Sequence, residues 1–111
     1  MKRTGPLDLY LDDLRTPPPG FIVVRTIDEC RMLLEETDVG RISLDYHLGN
    51  GRTADELTEW IVETGHWPHE IYFHSSDIEA RKRMYTYLSK HAPEQVLIHT
   101  GPYRGHMIHR R

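Results

Sequence analysis

Asp12-Asp13, Asp45-Tyr46-His47, His74-Ser75 and His99-Thr100 are the stretches whose residue types and positions could do chemistry. Two adjacent carboxylates repel each other and raise one of their pKa values unless a cation lies near, so Asp12-Asp13 is a candidate site for a metal ion or a cationic group. The plainer reading is that one caps a helix and the other is solvated. A carboxylate, a phenol and an imidazole follow one another at 45–47, and imidazoles recur at His74 and His99. Such groups can move protons, although a histidine at a strand end can equally hydrogen-bond a loop carbonyl.

Each of these stretches follows an apolar run that reads as a strand. Leu7, Leu9 and Leu11 alternate with polar residues up to Asp12, Ile42 and Leu44 precede Asp45, Ile71-Tyr72-Phe73 precedes His74, and Val96-Leu97-Ile98 precedes His99. Phe21-Ile22-Val23-Val24 is a further strand, either parallel through an unusually short crossover or an edge strand of open direction. Between it and the first strand, Pro17-Pro18-Pro19 forbids a helix, so the helix expected there is reduced to a proline-rich loop.

Helices alternate with the strands. Thr26 with Glu29, Thr53 with Glu56, and Ser76 with Glu79 each have the form of a capping box. The inward faces expected are Ile27, Cys30, Leu33 and Leu34, then Ala54, Leu57, Trp60 and Ile61, then Ala80, Met84, Tyr87 and Leu88. Asp38-Val39-Gly40 ends the first helix, Gly65 the second and Pro93 the third. Gly49-Asn50-Gly51 supplies positive-φ turn residues, and His66 and His69 lie in a loop at the other end of the sheet.

This pattern predicts one domain over residues 1–111, a three-layer α/β domain with a mainly parallel five-stranded sheet. Ligands of such sheets bind beyond the carboxyl ends of the strands, where the polar stretches fall, and helix N-termini on the same side favour an anion such as phosphate. A net charge of −3 argues against broad coating of nucleic acid. No apolar run approaches the roughly 20 residues of a membrane span, no signal-peptide core follows Met1, and the single Cys30 forms no disulfide framework, so a cytoplasmic location is expected. The residues from Arg104 to Arg111 read as a mobile basic tail.

In their order, the motifs resemble the receiver domain of two-component response regulators, a flavodoxin-like fold. That resemblance implies Mg²⁺ on Asp12 and Asp13, with Asp45 as a further ligand or phosphoacceptor. The place of the receiver's lysine after the last strand reads His99-Thr100-Gly101-Pro102. A closer resemblance is to the compact cyclic-phosphate processing receiver domains, with the pattern Leu-Asp-Asp-x-Arg-x-Pro, Leu-Asp-His-Asp-Leu-Gly, Thr-Gly and His-Ser with Asn-Pro-x-Gly-Arg. This chain has Leu11-Asp12-Asp13-Leu14-Arg15-Thr16-Pro17, Leu44-Asp45-Tyr46-His47-Leu48-Gly49, Thr53-Ala54, and His74-Ser75 through Arg81. Tyr46-His47 stands in place of His-Asp, and Asp77-Ile78-Glu79-Ala80 in place of Asn-Pro-x-Gly.

The resemblance implies a phosphoesterase acting on cyclic phosphate ends of RNA or nucleotides. Asp12, Asp13 and Asp45 would hold Mg²⁺ or another divalent cation. His74 with His47 or His99 would be the acid and base, beside Ser75, and Arg81 or Arg15 would grip phosphate. The other reading is a receiver-like module that binds a protein partner without turnover, consistent with the loss of the family's second carboxylate at position 47.

Overall fold

The computed structural model describes residues 5–105. Five strands, β1 (Leu7–Leu11), β2 (Ile22–Val24), β3 (Val39–Leu44), β4 (Glu70–Phe73) and β5 (Leu97–Ile98), form one sheet in the order β2-β1-β3-β4-β5. Every pairing is parallel, which settles the direction of β2. Where a parallel crossover normally carries a helix, the connection from β1 to β2 is irregular chain, as its prolines require.

Three helices follow the later strands: α1 (Ile27–Glu36), α2 (Asp55–Thr64) and α3 (Ile78–His91). Thr26 caps α1 by accepting from the Glu29 N–H at 3.1 Å, while the Glu29 carboxylate reaches one residue beyond the cap to the Arg25 N–H. The other two capping boxes do not form. Thr53 is drawn into an antiparallel bridge with His47, Glu56 turns to Arg52 at 2.8 Å, and α2 starts from Ala54 without a side-chain cap. The cap of α3 is Asp77, which accepts from the Ala80 N–H at 3.0 Å, while the Ser75 hydroxyl takes the Asp77 N–H. Thr37 ends α1, and Val39 and Gly40 already belong to β3. Gly65 closes α2 in the left-handed region, as its position predicts.

The inward face of each helix packs on one face of the sheet. Ile27, Cys30 and Leu34 of α1, Leu57 and Ile61 of α2, and Ala80, Met84 and Leu88 of α3 join Leu9, Leu11, Ile42, Leu44, Ile71 and Phe73 in one buried cluster. Each such Leu, Ile or Phe contributes roughly 1.5–3 kcal/mol when fully buried. Leu33, Trp60 and Tyr87 are only partly buried at its rim. Burial pushes the Cys30 thiol up to about 12, so it behaves as a small apolar residue.

Because α2 packs against both α1 and α3, the three helices lie side by side on the same face. The alternate strand residues therefore project to the other face: Asp8, Tyr10 and Asp12, then Arg41, Ser43 and Asp45, then Glu70, Tyr72 and His74. Among the described residues that face is covered by irregular chain, with Phe21 against Tyr10 and Tyr103, and Tyr103 against Tyr72. The architecture is receiver-like, and what stands in the place of a third layer of helices is two loops. At the amino end of the sheet His69 pairs with Asp38 at 2.9 Å and His66 stacks on Trp60, both away from the strand tips. From residue 106 on, the basic tail lies outside the described residues. No helix among them is long and apolar enough to cross a membrane.

Candidate active site

Asp12, Asp45 and His74 follow β1, β3 and β4, three adjacent strands whose carboxyl ends point the same way. Their ligand atoms all lie within 4.8 Å of one another. Asp12 is 1% exposed. One of its oxygens accepts the Leu14 and Arg15 N–H groups at 2.8 Å each, and the other faces His74 Nε2 at 3.0 Å. Burial pushes the Asp12 carboxyl up, but those two backbone donors and His74 outweigh it and hold it below the usual carboxylate range.

The His74 ring is fixed on three sides. Ser43 Oγ lies 2.7 Å from Nδ1, Asp12 lies at Nε2, and the ring stacks on Tyr10 at 4.0 Å with a 6° interplanar angle. Burial depresses its pKa, and the hydrogen bond to Asp12 with the charges of Asp45 and Asp12 offsets this only in part. The ring is thus held neutral. In that state the Ser43 hydroxyl donates to Nδ1 and Nε2–H donates to Asp12. Arg15 arches over the pair, its guanidinium 3.5 Å from the His74 carbonyl and 4.0 Å from Asp12, and its side chain is 54% exposed. Arg25 pins the loop beneath by donating to the carbonyls of Asp12 and Arg15.

The remaining candidate residues are not in this cluster. Asp13 turns to the Gly49 turn, where its carboxylate would stand 3.2 Å from a Cβ at Gly49. His47 is lifted off the strand tips by the bridge to Thr53 and pairs with Asp77 at 3.1 Å, at 69% exposure. His99 lies beside β4 and reaches back to Glu70, the first residue of that strand, at 3.0 Å. β5 is only two residues long, so His99 falls short of the tips. Ser75 is buried and accepts the Asp77 N–H in the turn before α3. Arg81 makes no hydrogen bond to the cluster, and its buried Nε has no partner among the described residues. Tyr46, in the place of the family's histidine, donates to Asp55 at 2.6 Å and accepts from Arg83 at 2.6 Å, which ties α2 to α3.

The family described as cyclic-phosphate processing receiver domain matches residues 7–90. The chain belongs to that family. No curated protein matches it. In this cyclic-phosphate processing receiver domain, Tyr10, Ser43 and Arg25 are the site residues that motif reading misses. Tyr10 and Ser43 carried a signal, since each stands two residues before a site carboxylate on the same face of its strand.

The donor set fits a divalent cation. A small ion held at about 2.1 Å brings its donors to at most about 4.2 Å apart, so these residues need close by only about 0.6 Å from their present limit of 4.8 Å. Two carboxylates suit Mg²⁺ or Mn²⁺, and the imidazole would join them, extending the range to Zn²⁺, only if Nε2 gave up its proton and its bond to Asp12.

Proposed function

We propose that this domain is a divalent-cation-dependent phosphoesterase that opens cyclic phosphate ends of RNA or nucleotides, with Asp12, Asp45 and His74 as its centre. The observation that carries the proposal is the convergence of two carboxylates and one buried imidazole at the strand tips of a chain in the cyclic-phosphate processing family. A bound cation would supply charge for the non-bridging oxygens and lower the pKa of water. Arg15, exposed and already leaning over Asp12 and His74, orients the phosphate.

In the reaction, water adds to phosphorus, one ring P–O bond breaks, and the departing alkoxide takes a proton. His74 Nε2–H, which donates to Asp12, is the proton carrier placed for this, and the Asp12 and Asp45 carboxylates rather than the imidazole would hold the cation. Asp12 and Ser43 hold the ring in one tautomer and orientation. Neither His47 nor His99 stands close enough to share that role, so a single imidazole serves where two were expected.

A second reading, binding without turnover, draws on the fact that both ring nitrogens of His74 already have partners. The two readings separate when purified protein, with and without Mg²⁺, Mn²⁺ or Zn²⁺, is given an oligoribonucleotide ending in a 2′,3′-cyclic phosphate. Ring-opened monophosphate that is lost in Asp45→Asn and His74→Ala supports the enzyme. A folded, metal-loaded protein that gives none supports the binding module.

A further inference from the structure

The face of the sheet opposite the helices carries a row of rings that starts at the strand-tip cluster of Asp12, Asp45 and His74, the crest of the sheet, and continues beyond it. His74 stacks on Tyr10 at 4.0 Å, Tyr10 meets Phe21 at 6.3 Å, and Phe21 meets Tyr103 at 5.1 Å. Tyr103 meets Tyr72 edge-on at 5.3 Å, and Tyr72 stacks on His99 at 4.0 Å. The row therefore begins at a member of the crest cluster and passes from Tyr10 on β1 through the loop residues Phe21 and Tyr103 to Tyr72 on β4. Tyr10, Ser43 and Tyr72 sit in register on these three strands, two residues below Asp12, Asp45 and His74, a step of about 7 Å along the strands.

The far end of the row opens into a cavity of about 330 Å³ lined by Tyr72, His99, Thr100, Tyr103 and Arg104. That volume is at the lower end of the range for small-molecule sites. Its chemistry is mixed: aromatic faces, a hydroxyl, an imidazole and the exposed Arg104 guanidinium. Below the strand tips, the acidic groups of this face are already answered. Asp8 pairs with Arg41 at 3.3 Å, and Glu70 accepts from Tyr72 and lies 3.0 Å from His99 and 3.9 Å from Arg41. Arg41 also lies over the Tyr103 ring at 5.0 Å, and Arg15 and Arg104 remain largely exposed. The face thus combines rings with the exposed Arg104 and the half-exposed Arg15 guanidinium groups, and rings with positive charge are the combination that binds single-stranded nucleic acid.

We propose that this face is a nucleobase-stacking subsite that takes the end of a single RNA strand, with the terminal phosphate at the crest and a base against Tyr103 and the cavity beside it. The choice of ligand rests on the phosphoesterase reading above. Stacking on rings is indifferent to base identity, so the subsite accepts any of the four bases and discriminates against ligands that have none.

The test is equilibrium binding of intact protein in buffer with a chelator, where the proposed cation-dependent turnover does not consume the probes. Its probes are a fluorescent trinucleotide ending in a 2′,3′-cyclic phosphate, a cyclic mononucleotide, and the base-free ribose 2′,3′-cyclic phosphate. Tyr103 lies outside the buried core, and a melting curve of each variant shows whether folding survives. The trinucleotide is expected to bind about tenfold tighter than the base-free ring, a preference that falls to near one in Tyr103→Ala and returns in Tyr103→Phe. A mononucleotide that binds as well as the trinucleotide assigns the subsite to the terminal base, and a weaker one assigns it to the strand behind it. Equal binding with and without a base, or a preference unchanged in folded Tyr103→Ala, overturns the inference. Turnover without base preference sinks this inference alone; base preference without turnover sinks only the phosphoesterase.

Discussion

His74 and His99 are held in nearly the same way. Each ring stacks on a tyrosine at 4.0 Å, at interplanar angles of 6° and 5°, and each meets a carboxylate oxygen through Nε2 at 3.0 Å. They differ in their surroundings. The side chain of His74 is 7% exposed and that of His99 is 38% exposed. Asp12 stands with a second carboxylate, Asp45, and only the half-exposed Arg15 nearby, whereas Glu70 has Arg41 at 3.9 Å and Tyr72 at 2.7 Å. A histidine, a carboxylate and a ring make a stable surface pair wherever an arginine balances the acid. The same trio makes a candidate site where burial and a second acid leave negative charge that a cation would balance.

The most forceful way to break this comparison is to remove the two acids. Asp12→Ala strands two backbone N–H groups and the His74 ring in a buried place, and is expected to cost about 3 kcal/mol. Glu70→Ala, at a partly exposed pair, is expected to cost about 1 kcal/mol. Urea denaturation of both variants measures the contrast, and similar losses would mean that burial does not distinguish the two sites.

The pH dependence sharpens the contrast at His74. Its folded pKa lies below the ordinary 6.5, so as pH falls through 6.5 the unfolded chain takes up a proton that the folded one refuses. Stability is therefore expected to decline below pH 6.5 in buffer with a chelator, and to decline less in His74→Gln. Asp12 acts in a lower window. Its folded pKa is below the ordinary 3.8, so its contribution is present above that value and is lost as pH falls through the folded pKa. A denaturation series from pH 8 to 3 on wild type and His74→Gln reads both. Parallel curves would remove His74 from the account.

The elements of this fold were legible because the sequence is locally consistent: apolar runs, a capping threonine at 26, and glycines at 49 and 65 where positive φ is needed. Asp12, Asp45 and His74 were legible because their strands end just before them. The positions of His47 and His99 were not, since one depends on a bridge to Thr53 and the other on how short β5 is, and both are tertiary facts. The box at Thr53 failed for the same reason. The lack of helices on one face was written in the alternation of β1, β3 and β4, which the three-layer expectation did not use, because strands of a parallel sheet covered by helices on both sides read as nearly unbroken apolar runs. Deleting the helix between β1 and β2 leaves that face to loops, and its residues became phenols, imidazoles and ion pairs.

The finest test of the comparison is between the two rings themselves. His99→Ala removes one stacking contact and one partly exposed hydrogen bond, while Glu70 keeps Arg41 and Tyr72. The expected loss is about 1 kcal/mol. His74→Ala removes the same kind of stack but leaves Asp12 buried without its side-chain partner and Ser43 without its acceptor, so a loss of about 2 kcal/mol or more is expected. Thermal melts of the two variants in chelator decide the order. Should His99→Ala prove the more damaging, the weight of the fold would lie on the aromatic face, and His74 would be a group that the crest can release from Asp12 at little cost.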